Sequence, residues 1–247
     1  MHSPVEQFTI KVLYDLSLFG FDISFTNSAL FMVLAVLVST IFFVAAMRPA
    51  AVVPGRMQAA AEMMYEFIAD MVRTNVGPDG RAYFPFIFTL FIFVLFSNML
   101  GMLPYSYTTT SQIVVTFSLA GFIFIAVTLI ALVKHGLHFF SFFVPEGAPK
   151  ALYPLIIVIE VVSYLVRPVS LSVRLFANML AGHTMLKVFA GLAVMMTGAG
   201  GVIAAGSILP LLAIIGLTGL EFLVAALQAY VFTILTCMYL NDALHLH

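Results

Sequence analysis

The sequence predicts an all-α integral membrane protein, a single membrane domain over residues 1–247 with about five membrane-embedded helices and one amphipathic surface helix. Three observations predict it. Hydrophobic residues make up 63% of the chain and charged residues only 9%, where a soluble domain is about a quarter charged. The apolar residues gather into runs of about twenty or more, the length one helix needs to cross a ~30 Å hydrocarbon layer. Between the first two runs lies one segment with apolar and acidic residues at helical spacing. A formal net charge of -1 and the lack of a basic run argue against nucleic-acid binding. Cys237 is the single cysteine, so no internal disulfide can form.

The first 26 residues hold Glu6, Lys11, Asp15 and Asp22. They lack the charged-then-apolar order of a signal peptide and the Arg-rich pattern of a transit peptide, so membrane entry is expected to rely on the internal spans. Residues 28–47, 83–103 and 112–133 each read as one crossing. Within 54–76, Met57, Ala60, Ala61, Met64, Phe67, Ile68, Met71 and Val72 follow i, i+3, i+4 spacing. Glu62, Glu66 and Asp70 line the other side, which is the pattern of a helix lying on the membrane surface. Gly77, Pro78, Asp79 and Gly80 close it as a turn.

The last two apolar segments, 151–196 and 202–243, are too long for one upright crossing. At 1.5 Å per residue each would reach about 60–70 Å, twice the hydrocarbon thickness. Neither contains a polar loop, so two long, strongly tilted helices forming a hairpin are expected, with the turn at "TGAGG", 197–201. Orientation follows from the cations. Arg48, Arg56, Arg73 and Arg81 flank the surface helix, and Lys134 and Lys150 bound the connection before the fourth segment. Loops 104–111 and 197–201 carry none. The positive-inside rule then puts the N-terminus outside, and the surface helix and C-terminus inside.

No phosphate-cradling glycine motif, zinc-type Cys/His spacing or Ser-His-Asp pattern occurs, so no cofactor is expected. His135, His138, His245 and His247 lie in a loop or at the tail, where histidines without supporting acids are usually solvated rather than metal ligands.

The informative residues are the charges inside apolar segments: Glu160, Arg167, Arg174, His183 and Lys187 in the fourth, and Glu221 in the fifth. At about 100° per residue, Glu160, Arg167 and Arg174 fall within about 40° of each other, with Asn178 on the same face and His183 about 180° away. Glu221 and Gln228, seven apart, share a face of the fifth segment. Several have ordinary explanations. Arg167 can form a buried pair with Glu160 or act directly. Lys187 can reach the interface along its stem. Asn178, Gln228 and Ser170 can be hydrogen-bonding glue between helices. Pro168 would bring a kink or a local 3₁₀ adjustment, while Gly182, Gly216 and Gly219 read as close-packing positions.

Arg174 has no such explanation. Its neighbours Ser170, Leu171, Ala177 and Asn178 supply no carboxylate. A guanidinium keeps its charge at any relevant pH, so it needs a partner from elsewhere. Glu160, His183 and Glu221 are titratable, and titratable groups in series, reached by water from each side, are the parts of a proton path.

"RPVSLSVRLFANMLAGH", 167–183, resembles the essential-arginine segment of the a subunit of F-type ATP synthases. "LQAYVFTILTCMYLNDA", 227–243, is similar to that family's C-terminal helix, and "SNMLGMLPY", 97–105, to its Asn-Leu-Leu-Gly-Leu-Leu-Pro-like motif. The resemblance covers about residues 25–245 in order. It implies a proton-channel stator, its long hairpin against the rotating c-ring and with peripheral-stalk b subunits as further partners. Nucleotide chemistry would lie in other subunits. The resemblance implies that Arg174 attracts the deprotonated carboxylate of each passing c subunit and divides two half-channels. His183, Glu221, Asn178 and Gln228 would line the outer half-channel and Glu160 the inner one. Having histidine on the fourth segment and acid on the fifth resembles the mitochondrial arrangement. This implies an alphaproteobacterial or mitochondrial origin and a place in a bacterial or mitochondrial inner membrane.

Two rivals make different predictions. A proton- or ion-coupled secondary transporter would bring inverted repeats and interrupted helices in matching halves, which the sequence lacks. A structural subunit of another respiratory complex would not need an unpaired cation at mid-helix.

Overall fold

The computed structural model describes residues 9–15, 17–18, 21–22, 24–48, 51–103, 106–136, 138–139 and 152–245. Glu6, Pro104, Tyr105, Lys150 and His247, each used in the sequence reading, lie outside the described residues. The fold is all-α, with five helices among the described residues long and apolar enough to cross a membrane. In order they are α1 (Asn27–Met47), the amphipathic α2 (Arg56–Asn75), α3 (Phe84–Gly101), α4 (Ile113–His135), α5 (Tyr153–Ala199), the short α6 (Gly201–Gly206) and α7 (Ile208–Leu244). Two small antiparallel pairings that periodicity did not announce precede α1: β1 (Val12–Tyr14) with β4 (Phe25–Thr26), and β2 (Ser17–Leu18) with β3 (Phe21–Asp22).

Local chemistry explains the element ends. The Thr26 hydroxyl accepts a hydrogen bond from the Ala29 N–H, 3.3 Å, capping the start of α1. Gly77, at φ 80°, turns the chain out of α2 into a 3₁₀ segment at Pro78–Tyr83. Gly200 and Gly201 take φ 71° and 59° in the turn after α5. The last apolar segment is divided, where one unbroken helix was expected. It turns at Ser207 because Pro210 lacks an N–H. Helix α7 starts at Ile208, so the proline occupies the third helical position, where no intrahelical acceptor is needed. Pro168 sits inside α5, which stays α-helical through it with no 3₁₀ segment.

Two compact units are present. One comprises Met1–Thr40, Phe93–Gln112 and Leu175–Ala229. Its interior centres on Asn98, fully buried near the end of α3. The Asn98 amide donates to the Ala225 carbonyl on α7, 3.1 Å, and its oxygen accepts from the Thr110 hydroxyl, 2.8 Å. Such bonds join helices in lipid, where apolar surface alone gives little drive to associate.

The other unit comprises Ile41–Ile92, Ile113–Arg174 and Tyr230–His247. Helix α2 buries Ala61, Ile68, Met71 and Val72 and keeps Glu66 and Asp70 exposed. Phe67 meets the rings of Phe91 and Tyr230 at 6.0 and 5.8 Å between centroids. The Thr116 and Ser172 hydroxyls are 3.3 Å apart, and those of Thr128 and Tyr164 2.7 Å, so polar contacts join α4 to α5. Lys134, at the end of α4, pairs with Asp79 at 3.0 Å.

Candidate functional site

In the first unit, a cleft of about 770 Å³ opens between the segment before α1, the end of α3, α5 and α7. Lys11, Tyr107, Thr108, His183, Lys187 and Glu221 are among its walls. The histidine and the acid of the sequence reading therefore share one cavity, on facing helices. The Nε2 of half-buried His183 lies 3.0 Å from the Thr108 hydroxyl. Both Glu221 carboxylate oxygens are buried, and no donor among the described residues reaches either.

Gly182 explains how Glu221 fits. A Cβ there would collide with the Glu221 Oε1 and lie 3.0 Å from its Cδ. The missing side chain lets the carboxyl lie directly against α5. Gly216 and Gly219, expected as close-packing positions too, face open space: nothing lies within 4 Å of where a Cβ would stand. Asn178 and Gln228 are outside the cleft lining. Asn178 is exposed on α5, and Gln228 is buried on α7.

In the second unit, Arg174 is exposed, as is Ser170 one turn before it. No ion pair joins Arg174 to a carboxylate among the described residues. Glu160 is half-buried, and it too has no ion pair among them.

Arg167 corrects the sequence reading. Its carboxylate partner is Asp242 on α7, with Nη1 to Oδ2 at 2.9 Å, rather than Glu160. Seven residues along one helix is a rise of about 10 Å, too far for a close pair without strained side chains. The Tyr164 and Tyr239 rings also lie 5.4 and 5.1 Å from the guanidinium, a cation–π cage around it.

The sequence reading missed Asp242 and Thr108. Asp242 is 75 positions from its partner, and nothing local marks the pairing. Thr108 lies in a polar run, "SYTTTS" at 106–111, and that polarity between two apolar spans was its one legible signal; its burial is set by the fold. Of the histidines weighed as ligands, His245 bonds Asn241 at 3.0 Å, and the described residues contain no cluster of three metal-ligating side chains.

A family model described as "ATP synthase A chain" matches residues 29–241. ATP synthase subunit a of Rhodospirillum rubrum is 58% identical over 247 residues, 100% of each chain. The protein of the same name from Parvibaculum lavamentivorans is 58% identical over 98% of this chain and 93% of its own. That from Rhizobium rhizogenes is 53% identical over 99% and 98%. A match across five spans, at more than half identity end to end, leaves one conclusion: the chain belongs to the ATP synthase A chain family.

Proposed function

We propose that this chain is the proton-channel stator of a bacterial ATP synthase, forming two offset aqueous half-channels that load and unload carboxylates on a c-ring. Family membership makes it a multi-pass inner-membrane subunit of the Fo sector, engaged in proton transport and ATP synthesis. The finer reading assigns roles within it. Arg174 attracts each deprotonated rotor carboxylate as it passes and keeps protons from crossing directly between the half-channels. His183 and Glu221, with Asn178 and Gln228, serve the outer path, and Glu160 serves the inner one. Arg167 and Ser170 support the helix around Arg174. The c-ring covers the exposed face of the α5–α7 hairpin, and peripheral-stalk b subunits hold the stator.

The observation that carries this reading is the exposure of Arg174 on a membrane helix without a carboxylate partner among the described residues. A permanent charge facing lipid there costs several kcal/mol or more. A rotor carboxylate arriving from outside the chain removes that cost. The shared cleft of His183 and Glu221 supports the outer path. Its lining brings two titratable groups together, and the Glu221 carboxylate, accepting no hydrogen bond from the described residues, can exchange a proton with water entering the cleft.

The test is Arg174→Ala in the assembled complex. Proton-driven ATP synthesis in inverted vesicles should fall to background while the c-ring still co-purifies. Intact synthesis in this variant would sink the reading.

A further inference from the structure

Away from the proton path, a cleft of about 1140 Å³ opens in the second unit between α2 and the 3₁₀ turn that leads into α3. Four charged side chains are among its walls: Glu66, Asp70 and Arg73 from α2, and Arg81 from the turn. All four are exposed, and none is in an ion pair among the described residues. Asp79, on the same turn, differs in being paired with Lys134. The three positions on α2 are four and three apart, which puts them within about 60° of one another over a rise of about 10 Å. Two carboxylates and then a guanidinium therefore follow one another along one wall.

Gly80 sets the other wall. A Cβ there would lie 2.8 Å from both Val72 Cγ1 and Val76 Cβ, so glycine lets the turn close on α2 and holds Arg81 beside it. Tyr65 and Phe84 also line the cleft, with their rings edge to face at 4.8 Å between centroids. Phe84 is the first residue of the apolar α3, so this aromatic end lies where the chain enters the hydrocarbon. Aromatic rings gather at that boundary, and arginines near helix ends keep their charged heads at headgroup level.

We propose that this cleft binds the headgroup of a zwitterionic phospholipid with a primary amine, of the phosphatidylethanolamine class, in the leaflet on which α2 lies. The Arg73 and Arg81 guanidinium groups donate to the phosphate, and the lipid ammonium donates to the Glu66 and Asp70 carboxylates. Both pairs of side chains are satisfied only by a headgroup that carries a phosphate and a donor ammonium. An anionic headgroup sets its charge against the two acids. A choline headgroup has no N–H to give them. The acyl chains descend past Tyr65 and Phe84 into the hydrocarbon.

The experiment uses the assembled complex in phosphatidylcholine vesicles, with a bimane fluorophore at Ala82→Cys in a Cys237→Ser background. Ala82 is exposed beside Arg81 and is not among the cleft walls. The complex without that cysteine supplies the background. The quenchers are small fractions of phosphatidylethanolamine, phosphatidylcholine or phosphatidylglycerol, each with a nitroxide on its acyl chain near the glycerol. The ethanolamine lipid should quench at a mole fraction about tenfold lower than the choline lipid, the worth of hydrogen bonds to charged groups that choline cannot make. Glu66→Gln with Asp70→Asn should turn the preference to phosphatidylglycerol. Arg73→Gln with Arg81→Gln should abolish any preference. In the unmutated complex, equal quenching by all three lipids would make the cleft an ordinary solvated face and overturn the proposal. A preference there for phosphatidylglycerol overturns it as well. Quenching by none of them would mean that another subunit covers the cleft, which also overturns it. The unmutated complex decides even where a double variant fails to assemble, and no outcome bears on Arg174 or the proton path.

Discussion

Gly182 and Glu221, at the edge of the cleft, are in a packing relation of absence. The carboxyl occupies the volume that any other residue at 182 would fill with its Cβ. Glu221 reaches that position on a flexible side chain, so it can swing away at little strain. Alanine is also a better helix former than glycine by about 1 kcal/mol. Gly182→Ala should therefore leave the amount of assembled complex unchanged. Proton flux should fall, by about ten- to a hundredfold for a proton-transfer group displaced by an ångström or so. Vesicle proton-uptake rates normalised to complex content check this, and unchanged rates would mean that the position of Glu221 does not matter. Arg167 makes a contrasting point. Its ion pair with Asp242 and its two aromatic neighbours make it a structural cation. Arg174, seven residues on, is exposed and has no ion pair with a carboxylate among the described residues.

At the scale of elements, α5 and α7 are the unusual objects. Helix α5 has 47 residues and α7 has 37, and at 1.5 Å per residue α5 is about 70 Å long. Such a helix cannot stand upright in a ~30 Å hydrocarbon layer, so it must lie strongly inclined. On α7, Leu212, Gly216, Gly219, Leu223 and Leu227 are all exposed at three- and four-residue steps, forming one face. The two glycines on it, open where tight packing was expected, make that face flat. A flat face admits close approach of another helix. Nothing lies within 4 Å of where a Cβ at 219 would stand, so Gly219→Leu should insert normally. If this face meets the rotor, the added side chain should weaken c-ring co-purification in mild detergent and lower ATP synthesis. Full retention of both would mean that the face looks to lipid.

For the whole molecule, orientation is the open property, and the charge distribution predicts it. The cations around α2 belong inside, and the cation-free turn after α5 belongs outside. In a Cys237→Ser background, Val53→Cys should react with a membrane-impermeant thiol reagent only in inverted vesicles. Gly198→Cys should react only in right-side-out ones. Val53 and Gly198 are both exposed, so labelling from the same side would overturn the assignment.

By itself the sequence determined the solvent, the number of long apolar helices, the surface helix and the residues that do not belong in lipid. Each is a property of composition or of a short period along the chain, and lipid enforces both strictly, because every backbone group in it must be satisfied within a helix. The family was legible for the same reason: "RPVSLSVRLFANMLAGH" and "LQAYVFTILTCMYLNDA" are local strings. Only the tertiary structure decided which charges meet. It paired Arg167 with Asp242, put His183 and Glu221 in one cleft, set Thr108 against the imidazole and left Gly216 and Gly219 open. Those contacts join positions tens of residues apart in different parts of the chain. They depend on how helices rotate and slide against one another, which no period within a single helix records.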